Sequence, residues 1–195
     1  MEQIELLQYV VRAIEEMGLR YFVTGSVATY FYGEPRIAGD IDVVVELTEQ
    51  GIVAFCRGFP DGEFSLDSAA ACGAVFDRGQ FRIGHLASGL KVDVIVPRAS
   101  PFNALRFLRA RRVRVAADFE AWFASPEDVI IKKMECYRQD RLEKHLRDID
   151  GVIRARRGEI DLAYVEQWAR QWGLADLWGE ISARAGTAPR SVTGG

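Results

Sequence analysis

Between Ile41 and Leu47 the chain is nearly continuously apolar, and two aspartates, Asp40 and Asp42, stand at the start of the run. Such a run reads as a central strand covered on both faces. A second run, Lys91-Val92-Asp93-Val94-Ile95-Val96, has the same character and carries a single acid in its middle. Two strands of this kind require a sheet with helices packed against it, and the intervening segments supply them.

Ile4, Leu7, Val11, Ile14 and Met17 recur at helical spacing and stop at Gly18, where a C-terminal glycine belongs. Tyr21 to Thr24 is β-like, Gly25-Ser26 punctuates it, and Val27 to Tyr32 is apolar enough for a buried helical turn or two before Gly33-Glu34-Pro35 breaks the pattern. Thr48 caps an expected helix reaching Gly58, and another is expected around Leu66 to Ala74. Phe81 to His85 and Leu90 to Val96 form an expected hairpin through Ala87-Ser88-Gly89. Pro101 to Ala110 reads as a helix and Val113 to Val115 as an edge strand among arginines.

From Ser125-Pro126-Glu127, a cap residue followed by proline at the first helical position, the pattern is helical almost to the end. The expected fold class is therefore α+β: a mixed β-sheet core flanked by helices over about 1-117, a helical subdomain over 118-185, and a flexible Thr, Pro, Ser and Gly tail over 186-195. With 195 residues, 49% of them hydrophobic, the chain can bury a substantial core. A net charge of -3 argues against coating nucleic acid through bulk positive charge, so any such contact must be local. Cys56, Cys72 and Cys136 have neither disulfide-framework nor zinc spacing and read as reduced core residues. Apolar runs fall short of a membrane span and the first residues are acidic, so a cytoplasmic protein without membrane attachment is expected.

In Asp40-Ile41-Asp42 the alternation of a strand sends both carboxylates to one face and Ile41 into the core. Taken alone, such a pair is more often a loop end and a solvated edge residue. Asp93 changes the weighing, because a lone acid inside an apolar strand needs a partner. If its strand lies beside that of Asp42, three carboxylates converge, a hard-oxygen set suited to Mg²⁺, or Mn²⁺, rather than zinc. Gly25-Ser26, between strand and helix, offers free backbone N–H groups and a helix dipole to an anion, although a plain tight turn is the commoner reading. Arg36 could fork onto phosphate oxygens or simply be solvated. The cluster Arg106, Arg109, Arg111, Arg112 and Arg114 could track an RNA backbone or merely protect an edge.

Gly25-Ser26, thirteen residues, Asp40-Ile41-Asp42 and then Asp93 in a later strand resemble the DNA polymerase beta-type nucleotidyltransferase superfamily. Within it, TGSVATYFYGEPRIAGDIDVVVE, SPEDVIIKKMECY and RDIDGVI are similar to the AbiEii and MenT group of toxin-type nucleotidyltransferases, over about residues 20 to 155. The resemblance implies a nucleotidyltransferase-fold core in which Gly25 and Ser26 hold the triphosphate of a nucleoside triphosphate. Asp40 and Asp42 would bind the metals, and Asp93 would complete the metal site and help to deprotonate the attacking hydroxyl. It also implies catalytic places for Lys133, with Lys132 competing for that position, and for Asp148. Read from the residues alone, Lys133 is a snorkelling lysine on an amphipathic helix and Asp148 a surface charge. The group usually has Thr or Ser two residues before the first metal aspartate, where this chain has Ala38.

The implied activity is transfer of a nucleoside monophosphate to an acceptor hydroxyl. The acceptor would be tRNA or another RNA in a toxin–antitoxin setting, with a cognate antitoxin or toxin protein as partner. Two rivals remain open: a non-catalytic nucleotide-binding or antitoxin module of the same fold, and a nucleotidyltransferase acting on a small molecule. Trp168, Trp172 and Trp178 read as core of the helical part rather than a base-stacking platform.

Overall fold

The computed structural model describes residues 1–33 and 39–186. The chain divides into two compact units, one built from residues 1–28 and 39–125 and the other from 29–33 and 126–186 of those described. Among the described residues no helix is long and apolar enough to cross a membrane.

The first unit contains a seven-stranded sheet. Its strands are β1 (Tyr21–Thr24), β2 (Ile41–Val45), β3 (Phe64–Leu66), β4 (Gln80–His85), β5 (Lys91–Ile95), β6 (Arg111–Ala116) and β7 (Phe119–Phe123), in the order β3-β4-β5-β2-β1-β7-β6. The sheet is mixed: β2 runs parallel to β5 and β1 parallel to β7, while β1 with β2, β4 with β5, and β6 with β7 are antiparallel. The apolar runs occupy its middle, with Ile41, Val43, Val44, Val45, Val92 and Val94 buried. The hairpin expected from Phe81 to Val96 is present, and the Arg-rich segment is an edge strand, both as the alternation indicated.

Five helices belong to this unit's sequence: α1 (Gln3–Glu16), α2 (Gly25–Tyr32), α3 (Ile52–Arg57), α4 (Ser68–Asp77) and α5 (Pro101–Arg109). The division between units falls inside α2, after Ala28. α1 buries Leu6, Leu7, Val10, Val11 and Ile14, so its apolar face is rotated from the expected one and Ile4 is exposed. Gly18, at φ +66°, ends it as the glycine signal suggested. The Thr48 cap is displaced: its Oγ1 accepts from the Gly51 N–H at 3.3 Å, and the helix starts only at Ile52. Leu66 ends β3 instead of opening a helix, and Asp67 caps α4 by accepting from the Ala69 and Ala70 N–H groups. Phe119–Phe123, given no strand by its sequence, is β7.

The second unit is helical, with α6 (Pro126–Asp140), α7 (Lys144–Ala155), α8 (Leu162–Gln171) and α9 (Ala175–Arg184) joined by the end of α2. Gly33 lies so near the backbone of Gly151 and Val152 that a Cβ there would sit 3.1 Å from it. Arg156 donates to the Phe31 carbonyl at 3.2 Å and lies over the Tyr32 ring. Two acids at the start of α6 anchor α8: Glu127 accepts from the Asp161 N–H, and Asp128 from the Tyr164 hydroxyl at 2.9 Å. Trp168 and Trp178 are buried, in keeping with a core role. Of the cysteines, Cys72 is exposed, against the expectation of three core thiols, because it lies on the outer side of α4.

Candidate functional site

The antiparallel register of β1 and β2 sets Thr24, the last residue of β1, opposite Asp42. The parallel register of β2 and β5 sets Asp42 opposite Asp93, and the hairpin sets Asp93 opposite Arg82. Directly paired residues project from the same face of a sheet, so Arg82, Asp93, Asp42 and Thr24 form one row across four strands. Asp40, two residues before Asp42 and just ahead of β2, continues this side outward. Burial falls along the site: the Asp93 side chain is 15% exposed and that of Asp40 44%.

Gly25 begins α2 immediately beyond Thr24 with φ +64°, a conformation glycine adopts without steric cost. A Cβ at this position would lie 1.9 Å from Asp42 Oδ2, so the carboxylate occupies the space that a side chain would need. Ser26 Oγ donates to the Asp40 carbonyl at 3.3 Å, tying the helix start to the loop that delivers the acids. Gly25→Ala is therefore expected to cost about 2 kcal/mol, combining the left-handed penalty with displacement of Asp42. Gly18→Ala, at φ +66° with nothing within 4 Å of a Cβ, should cost only about 1 kcal/mol. Urea unfolding of both variants isolates the steric part; equal losses would show that the Asp42 contact is readily relieved.

Arg82 is not singled out by the sequence, yet among the described residues it is a charged partner of both Asp93 and Asp40. Its Nε donates to Asp93 Oδ1 at 2.7 Å, its Nη2 to Asp93 Oδ2 at 2.8 Å, and Nη2 lies 3.4 Å from Asp40 Oδ2. The guanidinium is held protonated more firmly than usual, first by its hydrogen bond to Asp93, with the charges of Asp93, Asp40 and Asp42 adding to the effect. A signal was available: in an expected hairpin of this loop length, the residue across from the lone strand acid is an arginine.

These residues suit a hard divalent cation by chemistry, since the row supplies carboxylate oxygens with no thiolate or imidazole among them. As they stand, no three Asp, Glu, His or Cys side chains among the described residues are grouped to hold an ion. Arg82 gives a physical reason, because both Asp93 oxygens are already turned to its fork.

Of the other residues singled out, Arg36 and Ala38 lie outside the described residues, as does the tail beyond Gly186. Lys133 and Asp148 belong to the second unit, where Lys133 Nζ donates to Asp148 Oδ2 at 2.6 Å, both side chains buried. Lys132 is instead half-exposed, paired with Glu135 and lying over the Trp172 ring. The arginine cluster is largely committed within its own unit: Arg106 is buried with its guanidinium 4.6 Å from the Phe22 ring centroid, Arg112 bonds Glu15, and Arg114 bonds Glu120.

No family model and no curated relative matches the chain in sequence. Several solved structures match it over nearly their whole length. ANT(2″)-Ia in complex with adenylyl-2″-tobramycin is similar over 87% of this chain and 98% of that one, at 15% identity and a TM-score of 0.59. An antigenic nucleotidyltransferase-like protein from Paracoccidioides brasiliensis is similar over 95% and 93%, at 14% identity and a TM-score of 0.57. The chain has the nucleotidyltransferase fold. A further nucleotidyltransferase, the lincosamide antibiotic adenylyltransferase LnuA with lincomycin bound, is similar over 78% and 96%, at 14% identity and a TM-score of 0.52. At such identities the likeness carries the architecture of the nucleotidyltransferase fold, and chemistry must be argued from side chains.

Proposed function

We propose that the chain is a metal-dependent nucleotidyltransferase that moves a nucleoside monophosphate from a nucleoside triphosphate to an acceptor hydroxyl. The observation that carries this reading is the row Asp93–Asp42 with Asp40 at its edge, directly beside the glycine that opens α2. Asp40, Asp42 and Asp93 would hold Mg²⁺ or Mn²⁺. Bound there, the cations would neutralise triphosphate charge and favour the ionised acceptor oxygen.

The chain's own residues supply position. The N–H groups at the start of α2 would favour an anion with the helix dipole behind them, and Gly25 leaves its side-chain space to the Asp42 carboxylate. Asp93, the more buried acid, would help to take the acceptor proton, and the more exposed Asp40 borders solvent. Lys133 and Asp148 enter this reading through the sequence resemblance, and Arg36 through the phosphate-matched fork of an arginine just ahead of the acids.

For the acceptor, a small hydroxylated molecule is favoured. One structural neighbour was solved with adenylyl-2″-tobramycin and another is a lincosamide antibiotic adenylyltransferase, and Arg112 and Arg114 of the cluster that would have followed an RNA backbone bond their own unit. The RNA reading, with its toxin–antitoxin setting, rests on the segments resembling the AbiEii and MenT group. Incubation with Mg²⁺, each α-labelled ribonucleoside triphosphate and either total tRNA or a panel of aminoglycosides and lincosamides decides between them. Label on the small molecules alone is expected; label on tRNA alone would reverse the acceptor assignment, and label on neither would favour a non-catalytic module.

A further inference from the structure

Arg82 is a poor companion for a metal site. It engages both oxygens of Asp93, reaches toward Asp40, and lies in the same cross-strand row as Asp42. A guanidinium bonded to both Asp93 oxygens competes with a divalent cation for that carboxylate, and two positive centres on one carboxylate repel. The side chain is also built to move: it is 51% exposed and sits on β4, while its neighbours Phe81 and Ile83 are buried on the opposite face. Releasing it from Asp93 breaks no core packing.

Resting on the metal-dependent reading above, we infer that Arg82 is a displaceable counter-cation of the acid row. It neutralises Asp93 and Asp40 in the metal-free protein, and leaves Asp93 when metal and nucleotide arrive together. The freed guanidinium is a fork matched to phosphate oxygens, so the triphosphate offers it a second partner next to the first. Metal alone must compete against Arg82, whereas metal with triphosphate gives Arg82 somewhere to go. Divalent cation and nucleotide are thereby coupled, and by linkage each strengthens the other's binding by the same factor. Without this device three carboxylates would gather a cation whether or not a substrate was present.

The test is Mn²⁺ binding, followed by electron paramagnetic resonance with and without a non-hydrolysable α,β-methylene triphosphate, in wild type, Arg82→Met and Asp93→Asn. A cation site occluded nine-tenths of the time binds about tenfold more weakly than an open one. Arg82→Met should therefore bind Mn²⁺ alone about tenfold more tightly, and the gain on adding nucleotide should shrink by a similar factor. Arg82→Lys, which keeps a charge but not the fork, should fall between the two. In the unaltered protein, Mg²⁺ and nucleotide together should shift the Arg82 Nε–H resonance, a readout that needs no variant to fold. Mn²⁺ binding that is lost in Asp93→Asn but unchanged or weaker in Arg82→Met overturns the role of Arg82 and leaves the metal site standing. Absence of binding in wild type and Arg82→Met alike removes the metal site and the inference together.

Discussion

Asp42→Asn is expected to lower nucleotidyl transfer by roughly 10³-fold or more while leaving the melting temperature within a few degrees of wild type. Asp42 stands at the centre of the row, between Thr24 and Asp93, with one oxygen against Gly25. Asparagine keeps the shape and the contact with the glycine turn but removes the charge, so a cation held by three carboxylates would lose its central one. The fold should tolerate the change, because β2 is anchored by Ile41, Val43, Val44 and Val45, all buried, and asparagine is nearly isosteric with aspartate. Steady-state transfer and thermal unfolding on the same preparation check both halves. Near-full activity would remove Asp42 from the site; lost activity accompanied by lost fold would make its role structural.

Lys133→Met is expected to destabilise the second unit by about 3 kcal/mol. The Lys133 and Asp148 side chains are 11% and 3% exposed, with their charged atoms 2.6 Å apart. Methionine fills much of the volume of the lysine stem but leaves the Asp148 carboxylate buried without that cation, which is the costly way to break such a pair. The double variant Lys133→Met/Asp148→Leu should recover most of the loss, since apolar replacement of both partners removes the buried carboxylate along with its lysine. Tryptophan fluorescence during urea unfolding reports mainly this unit, which holds Trp168, Trp172 and Trp178. A loss below about 1 kcal/mol with abolished transfer would instead favour the catalytic place that the resemblance implies for Lys133.

The central strands were legible because Ile41–Val45 and Lys91–Ile95 need burial on both faces, and the hairpin because alternation and a glycine turn agree. The meeting of Asp42 and Asp93 required one further fact, the parallel register of β2 with β5, which long-range pairing decides and local sequence does not. β7 escaped notice because Phe119–Phe123 is short and bounded by ordinary residues; its pairing with β1 and β6 makes it a strand. Arg82 was missed for a different reason. An arginine alternating outward from a strand looks like a solvated residue, and only the register shows an acid opposite it. Conversely, the arginine cluster near residue 110 looked functional by density, yet cation–π and carboxylate partners take up much of it. Periodicity alone makes Lys133 a snorkelling residue, whereas the structure buries it on an acid from α7.

The central claim is that the acids beside Gly25 form a metal-dependent triphosphate site, and it can be tested without knowing the acceptor. Calorimetric titration of wild type and Asp42→Asn with each ribonucleoside α,β-methylene triphosphate, in the presence of Mn²⁺ or EDTA, measures it directly. Binding to wild type that requires Mn²⁺ and disappears in Asp42→Asn is the expected result. Binding that persists in EDTA, or that is equal in the two proteins, would contradict the claim.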